Sequence, residues 1–506
     1  MAEPEAKRLK KTKRTEPLII NFFEALTPVL HAPGQWRNPK DTSRDYYKPE
    51  FWIKVAQLAE KGKFHGIFFG DSLAVYGGYK SQGLGGPFNF EEAAKSGNNF
   101  PKNDPTAYIS ALAISTRNIS FGITCSTLSE HPYHFARRYA TLDHITGGRM
   151  GWNVVTSFLP SAGRQLTDNN ELPQKELRYA KADEYLQVFY ELLLSSWRDD
   201  GLVYDKEAGV FSDPDAIREI NFDGNYYKVP GPQITEPSPQ RIPVIIQAGA
   251  SPKGLLLGAK HGELIYVGAR SPEIVREKIE ETKKLAKEKF GRDPSHLKFL
   301  TRIAVVIGTT HEEAVAKYEQ MLKYNDPDGV FTQIGVGGGG LDLSKFGKDE
   351  DLSKVDDPAA KGFAINYGKQ FPGEIITKRF IVDHYHNHNT LFIGTAQEVA
   401  DKIEDYVEKS GIDGFNFTNI VFPENFENIV DILIPELQER GLAQKEYAVD
   451  GGTYREQVYR QKGHTFVPED HYAYPLRWKS GVSKEKFEKQ LGEVKEEQKK
   501  YLISEL

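Results

Sequence analysis

The run Gln247-Ala-Gly-Ala-Ser-Pro-Lys-Gly254 holds the residue types best suited to bind an anion. A serine before a proline and small residues reads as a helix start, with Ser251 as N-cap and Pro252 at the first helical position. The N–H groups of Lys253 and Gly254, the positive end of the helix dipole and the Lys253 charge could together hold a phosphate. A plain capped helix has the same sequence, so both readings stand on the physics alone. Lys175, Arg178 and Tyr179, at the start of an earlier helix, could supply more donors. Their spacing to Asp183 and Glu184 equally suits surface pairing one helical turn apart.

The histidines raise a different chemistry. In Asp383-His-Tyr-His-Asn-His388 the alternation would put three imidazoles on one face of a strand, as metal-dependent hydrolases require. The cluster lies in a late insertion, however, and a polar loop face is the simpler reading. His131 and His134 are three apart, but Pro132 between them marks a helix start rather than a ligand pair. No metal site is expected. Gly335 to Gly340 contains a dinucleotide-type glycine spacing, yet no buried strand leads into it and no apolar helix follows, so it reads as a loop. There is no phosphate-binding P-loop and no Gly-x-Ser-x-Gly elbow.

These residues must be carried by a framework, and the pattern of the chain supplies one. Eight apolar runs (18–25, 65–72, 119–127, 150–157, 243–251, 263–269, 297–308 and 412–421) alternate with amphipathic helical runs. Strands apolar throughout are buried on both faces, and strand–helix alternation makes a parallel sheet. Eight such units predict an α/β fold, a closed (β/α)8 TIM barrel, with an open doubly wound sheet as the competitor. Asp71, Thr124, Asn153 and Ser251 then fall at carboxyl ends of strands, the face where barrels place active sites. Between the third and fourth strands, Phe135, Tyr139, Leu142 and Ile145 recur at helical spacing and are expected to pack on the sheet, with Gly147-Gly148 ending the helix.

Three segments exceed ordinary loop lengths, at about 73–103, 198–242 and 325–390, and are expected to form lids or binding loops. The expected organisation is a basic disordered tail over 1–17, a barrel with these insertions over 18–441, and an extension over 442–506 that either covers a neighbouring subunit or stands as a solvated helix.

Composition narrows the function classes. The chain has 506 residues, 27% of them charged, and a net charge of −6. The first 14 residues carry six Lys/Arg against Glu3 and Glu5. The body is therefore acidic, which argues against nucleic acid as the partner. No apolar run suits a membrane span. The one cysteine, Cys125, excludes intramolecular disulfides and fits a reducing, cytoplasmic compartment. The terminal Ser504-Glu505-Leu506 lacks the basic residue of a peroxisomal address.

Taken together, the segments His31–Arg37, His131–Ser157, Arg178–Tyr185 and Gln247–Gly254 resemble the large oxygenase component of the nitrilotriacetate and dibenzothiophene-sulfone monooxygenases. These belong to the bacterial-luciferase-like flavin monooxygenases, and the resemblance runs from about Leu18 to about Gly441. It implies a barrel that binds reduced FMN (FMNH2) from a separate NAD(P)H:flavin reductase. O2 is the co-substrate, and a C4a-peroxyflavin oxygenates a small organic molecule, with C–S or C–N cleavage in some members. It further implies a homo-oligomer, a dimer or tetramer. Family contacts to FMN fall on Asp71, Thr124, Tyr179 and Ser251, with Asn153 beside them. Lys175 stands where relatives have histidine; lysine keeps a charge for phosphate but loses the acceptor. His31, His131 and Tyr133 are the candidates for catalytic groups near the flavin. A metal-dependent barrel hydrolase using the 384–388 histidines and a non-catalytic flavin-binding protein are the competing functions.

Overall fold

The computed structural model describes residues 16–80, 89–249, 251–268, 271–337, 341–388 and 390–503. The tail over 1–15, Ser504–Leu506 and the glycines at 338–340 lie outside the described residues. Eight parallel strands form the barrel: β1 (Ile19–Glu24), β2 (Gly66–Phe69), β3 (Ser120–Ser126), β4 (Met150–Val155), β5 (Val244–Gln247), β6 (Leu264–Tyr266), β7 (Lys298–Ile307) and β8 (Gly414–Thr418). They pair in sequence order, β8 returns to β1, and β7 lies between β6 and β8, so the sheet closes. All eight predicted runs contain their strand.

A ninth strand, Thr390–Gly394, escaped the sequence reading because it lies at the end of an insertion. Ile303 and Ala304 of β7 pair with it and with β8 at once, and Leu300 pairs with both β6 and β8. The extra strand therefore takes over the edge of β7 that β6 leaves after three residues.

Helices fill the outside. They are α1 (Pro49–Lys61), α2 (Ile109–Ser115), α3 (Pro132–Thr146), α4 (Lys175–Ser195), α5 (Pro252–His261), α6 (Pro272–Phe290), α7 (His311–Leu322) and α8 (Ala396–Ser410), with a last broken helix over 424–439. Ser251 and Ser271 cap α5 and α6, each with proline at the start, as the sequence required. Gly147 ends α3 in the left-handed conformation at φ 64°. One packing expectation fails: Phe135, Tyr139 and Leu142 are buried, but Ile145 is 44% exposed. Ala136, Ala140 and Asp143 complete the buried face instead, because an i, i+4, i+7 stripe drifts off the contact line before i+10.

The insertions carry structure of their own. Helices Pro327–Gly337, Pro358–Gly368 and Lys378–Asp383 lie in the third, around a separate apolar core that includes Val330, Phe331, Leu343, Ala364 and Ile381. Tyr79 from the first insertion joins that core, and its hydroxyl donates to Asp328 at 2.8 Å. The second insertion forms two short hairpins.

The chain beyond 441 packs on its own barrel. Helix α9 (Tyr454–Tyr459) puts Tyr454 and Val458 into the apolar amino end of the barrel, against Ile19, Phe68, Val244, Ile246, Leu264 and Leu300. Gly151 must be glycine here, since a Cβ would stand 2.9 Å from the Tyr454 ring. Arg455 and Glu263 are fully buried and paired: Nε donates to one carboxylate oxygen at 2.8 Å and Nη2 to the other at 2.9 Å. The guanidinium also donates to Thr465 O at 2.6 Å, Pro243 O at 3.2 Å and Ile242 O at 3.3 Å. Helix α10 (Lys484–Gln498) buries Phe487 and Leu491, with Phe487 stacked on Trp478. Among the described residues, no helix is long and apolar enough to cross a membrane.

Removing one partner of a satisfied buried pair strands the other charge. Arg455→Ala is therefore expected to lower unfolding stability by about 3–5 kcal/mol in urea titrations. The double variant Arg455→Met/Glu263→Gln should recover a large part of it.

Candidate functional site

Along the barrel axis the interior changes character. The apolar plug gives way, toward the carboxyl ends, to Asn21, Tyr266 and Asn416, and then to Thr124, Asn153 and Arg302. Asn21 Nδ2 donates to Tyr266 Oη at 3.3 Å. Thr124 and Asn153 are register partners on β3 and β4, and Asn153 Nδ2 donates to Thr124 Oγ1 at 2.9 Å. The Oδ1 atoms of Asn21, Asn153 and Asn416 are buried with no protein partner. Stranded acceptors at this density are costly in an apolar core and ordinary in a binding site.

Asp71 follows β2 and lines a cleft of about 410 Å³ with Ser72, Lys102, Thr124, Ser126 and Arg138. Its Oδ1 accepts from Ser72 N at 2.8 Å, and burial pushes the carboxyl up to about 6. Burial also lifts Glu24, at the end of β1, to about 8 and lowers the Lys102 ammonium to about 8.

Tyr179 and Ser251 are brought together. Their hydroxyls lie 3.3 Å apart across the starts of α4 and α5. Ser251 Oγ also accepts from Gly254 N at 3.2 Å, so that N–H serves the cap rather than standing free. Lys253 turns outward to donate to Ile503 O at 2.9 Å. Gly249 fits between them: a Cβ there would stand 2.4 Å from Gln247 Nε2 and 3.2 Å from Tyr179 Oη. Lys175 is exposed, one turn before Tyr179.

The alternative of surface pairing for this helix start is overturned. Asp183 is buried and accepts from Lys260 Nζ at 2.6 Å and His261 Nε2 at 2.9 Å. Glu184 accepts from the backbone N–H groups of Asn225, Tyr226 and Tyr227. Arg178 bonds backward instead, to the carbonyls of Pro173, Thr156 and Ser157.

His31 is buried over the barrel mouth, its ring edge-on to Phe23. Nδ1 meets Arg302 Nη1 at 3.2 Å and Nε2 meets Phe23 O at 3.1 Å. A guanidinium only donates and a carbonyl only accepts, so the ring is neutral with its proton on Nε2. His131 is the N-cap of α3, accepting from Tyr133 N at 3.3 Å, and faces Tyr227 of the second insertion. Neither His131 nor Tyr133 lines the cleft with Asp71; from that segment Ser129, Glu130 and Arg138 do.

The late histidines do not share a strand face. Tyr385–His388 forms a 3-10 turn after the helix Lys378–Asp383. His384 stacks on Phe380 at 4.0 Å, and His386 is buried with Nε2 3.0 Å from Asn325 Oδ1. Among the described residues, no group of three or more His, Cys, Asp or Glu could hold a metal. The sequence reading passed over Arg302, Glu24 and Lys102. A charged residue inside Lys-Phe-Leu-Thr-Arg302-Ile-Ala-Val was a usable signal; Lys102, in a loop after proline, gave none.

The model of the luciferase-like monooxygenases matches residues 32–414. The chain belongs to that family. Long-chain alkane monooxygenase of Geobacillus thermodenitrificans is 39% identical over 463 residues, covering 92% of this chain and 98% of that one. A crystal structure of long-chain alkane monooxygenase superposes with a TM-score of 0.82 and 38% identity, over 92% of this chain and all of that one. Nitrilotriacetate monooxygenase component A of Aminobacter aminovorans is 32% identical over 435 residues, 84% of this chain and 93% of that one. A crystal structure of riboflavin lyase with modified FMN and riboflavin superposes with a TM-score of 0.80 at 28% identity, over 91% of this chain and all of that one. Luciferase-like monooxygenases use reduced flavin and O2, and the chain is an oxidoreductase of this flavin-dependent kind.

The buried His386 makes a pH prediction. Burial, aided by the Arg302 charge, lowers its imidazole to about 4. Below the unfolded value of about 6.5 the unfolded chain takes up a proton that the folded one refuses until about 4, so this group removes stability as pH falls through that window. His386→Gln should make the stability–pH slope there shallower by about 1.4 kcal/mol per pH unit, read from urea titrations at stepped pH.

Proposed function

We propose that the chain is the oxygenase component of a two-component system. It takes FMNH2 from a separate NAD(P)H:flavin reductase and uses O2 to oxygenate a small organic substrate, working as a dimer or tetramer in the cytoplasm. The observation that carries this reading is the pairing of Tyr179 and Ser251 across two helix starts, beside a barrel mouth with unpartnered buried acceptors. The residues fit the group. Two hydroxyls and the amino end of α5 suit a phosphate, and glycine at 249 keeps the approach open. Lys175 adds a cation from the rim. Asp71, Thr124 and Asn153 offer donors and acceptors for the polar edge of a ring.

Bound FMNH2 supplies the activation of O2; the chain supplies binding and shelter. Ser251 and Tyr179 anchor the phosphate, and Thr124 with Asn153 fixes the ring edge. His31 donates from Nε2 to Phe23 O and accepts from Arg302, so both ring nitrogens are engaged and the imidazole is held in place above the mouth. The core shared by the first and third insertions keeps water out. His131 and Tyr133 stand at the outer rim with Tyr227 and are the candidates for groups that meet the substrate on its way in.

Purified chain with a flavin reductase, NADH, FMN and O2 should oxygenate a panel of sulfones, thioethers, aminopolycarboxylates and alkanes only when FMNH2 is formed. Product mass separates insertion of one oxygen from C–S or C–N cleavage. No FMNH2 binding at micromolar concentration sinks the reading. Ser251→Asp keeps a good N-cap but adds a negative charge beside the phosphate. The variant should fold normally and lose at least about tenfold in FMNH2 affinity in an anaerobic titration, the direction that like-charge repulsion dictates. Unchanged affinity removes Ser251 from the site.

A further inference from the structure

Asp71, after β2, lines the cleft together with the Lys102 ammonium, and the Glu24 carboxyl at the end of β1 lies close enough for its charge to act on the same lysine. Lys102 comes from the end of the first insertion. Its Nζ donates to Asn99 Oδ1 at 2.8 Å and to Ser72 Oγ at 3.1 Å. Ser72 N in turn donates to Asp71 Oδ1 at 2.8 Å. Glu24 is fixed on the other side, with Ala25 N at 3.1 Å on one oxygen and Asn419 Nδ2 on the other. Lysine is costly to bury without compensation, because its ammonium is strongly hydrated. Here the compensation is two neutral oxygens and chiefly the field of Asp71, because Glu24, lifted by burial to about 8, is largely protonated at neutral pH.

We propose that Lys102 is a positioning residue for the flavin site: its ammonium holds the Ser72 turn and keeps the neighbouring Asp71 ionised and turned into the cleft. The inference rests on the reading of Asp71 as a flavin contact. Lys102 lines the same cleft as Asp71 and Thr124. Its field opposes the effect of burial on Asp71, and the fields of Asp71 and Glu24 oppose the effect of burial on Lys102. The other charged or titratable groups around Asp71 are Asp104 from the same loop, Tyr76 beyond β2, Cys125 on β3, and Glu130 and Arg138 across the cleft. Asp104 raises the Asp71 carboxyl, so it works against the ionised form and Lys102 opposes it.

The test is FMNH2 affinity, titrated anaerobically from pH 5.5 to 9, for wild type, Lys102→Met, Lys102→Gln, Lys102→Arg and Asp71→Asn. Removing the cation leaves only the Ser72 N–H to oppose the effect of burial on Asp71. The two neutral variants should therefore shift the acid limb of the binding profile upward by about one pH unit, with affinity above pH 8.5 within about twofold of wild type. Lys102→Arg should retain the wild-type limb. A uniform loss of affinity at every pH, or an unmoved limb, overturns the proposal. So does failure of both neutral variants to fold while Lys102→Arg folds, which would make the role structural. If Asp71→Asn binds FMNH2 like wild type at all pH values, the reading of Asp71 itself fails. An effect of Asp71→Asn with a flat response at Lys102 sinks only the present proposal.

Discussion

Closure of the barrel hangs on its narrowest seam. Strand β6 has three residues and meets β5 through Leu264 and Ile265, and β7 through Leu264, Ile265 and Tyr266. A seam of that length has few ladder hydrogen bonds to hold it. Arg455 fastens it from below. One guanidinium binds Glu263, the residue before β6, and the carbonyls of Ile242 and Pro243, which precede β5. Glu263 also accepts from Ile245 N, so the pair is tied into the β5 backbone as well. The desolvation cost of burying both charges is offset by saturating nearly every donor and acceptor they own. The C-terminal segment is thus part of how the barrel stays shut, and with its amino end filled by Tyr454 and Val458 the barrel opens only toward the carboxyl ends.

That geometry accounts for how much the sequence revealed. The eight strands were legible because strands buried on both faces are apolar at every position, and the helix starts because Ser251-Pro252 and Ser271-Pro272 are strong local signals. The pairs Thr124–Asn153 and Tyr179–Ser251 could be suspected individually from strand ends and helix starts. Their contact depends on barrel register and was invisible. The core of the third insertion was missed because its apolar residues pack on one another rather than on a periodic framework, and the extra strand Thr390–Gly394 because it is short and joins the barrel only at the edge of β7. The burial of Asp183 and Glu184 was missed for a related reason. Spacing along a helix reports which residues are neighbours, not which face a distant lysine or loop will cover. Lys175 and Asp71 were suspected from a helix start and a strand end, their flavin roles and those of His31, His131 and Tyr133 came from resemblance, and the geometry adds surroundings to each.

The mouth combines two electrostatic regimes. On the β1–β2 side Glu24, Asp71 and Lys102 share a poorly hydrated space in which burial shifts each group toward its neutral form, and the field between Asp71 and Lys102 works against that shift. On the β7 side Arg302 has neutral partners: His31 accepts from it, and buried His386 is kept uncharged by burial and by the same guanidinium. One positive charge that needs no carboxylate and one cluster of buried titratable groups therefore stand at the same mouth, separated by β8 and linked through His31, which bonds both Arg302 and Phe23 O of β1.

The helix starts that carry Tyr179 and Ser251 are not independent supports. Ile503 N donates to Asp183 Oδ2 at 3.1 Å, and Ile503 O accepts from Lys253. Asp183 lies one turn after Tyr179 on α4, and Lys253 two residues after Ser251 on α5. The last described residues of the chain therefore staple α4 to α5, while Lys260 and His261 of α5 reach back to the same Asp183. Moving Tyr179 away from Ser251 would require breaking a buried carboxylate out of three hydrogen bonds, each to a group that is itself buried or nearly so. Charge-assisted bonds of this kind resist displacement far more than the single Tyr179–Ser251 contact could. The distance between the two hydroxyls is thus set by a network beneath them, which makes the pair a pre-organised feature of the fold.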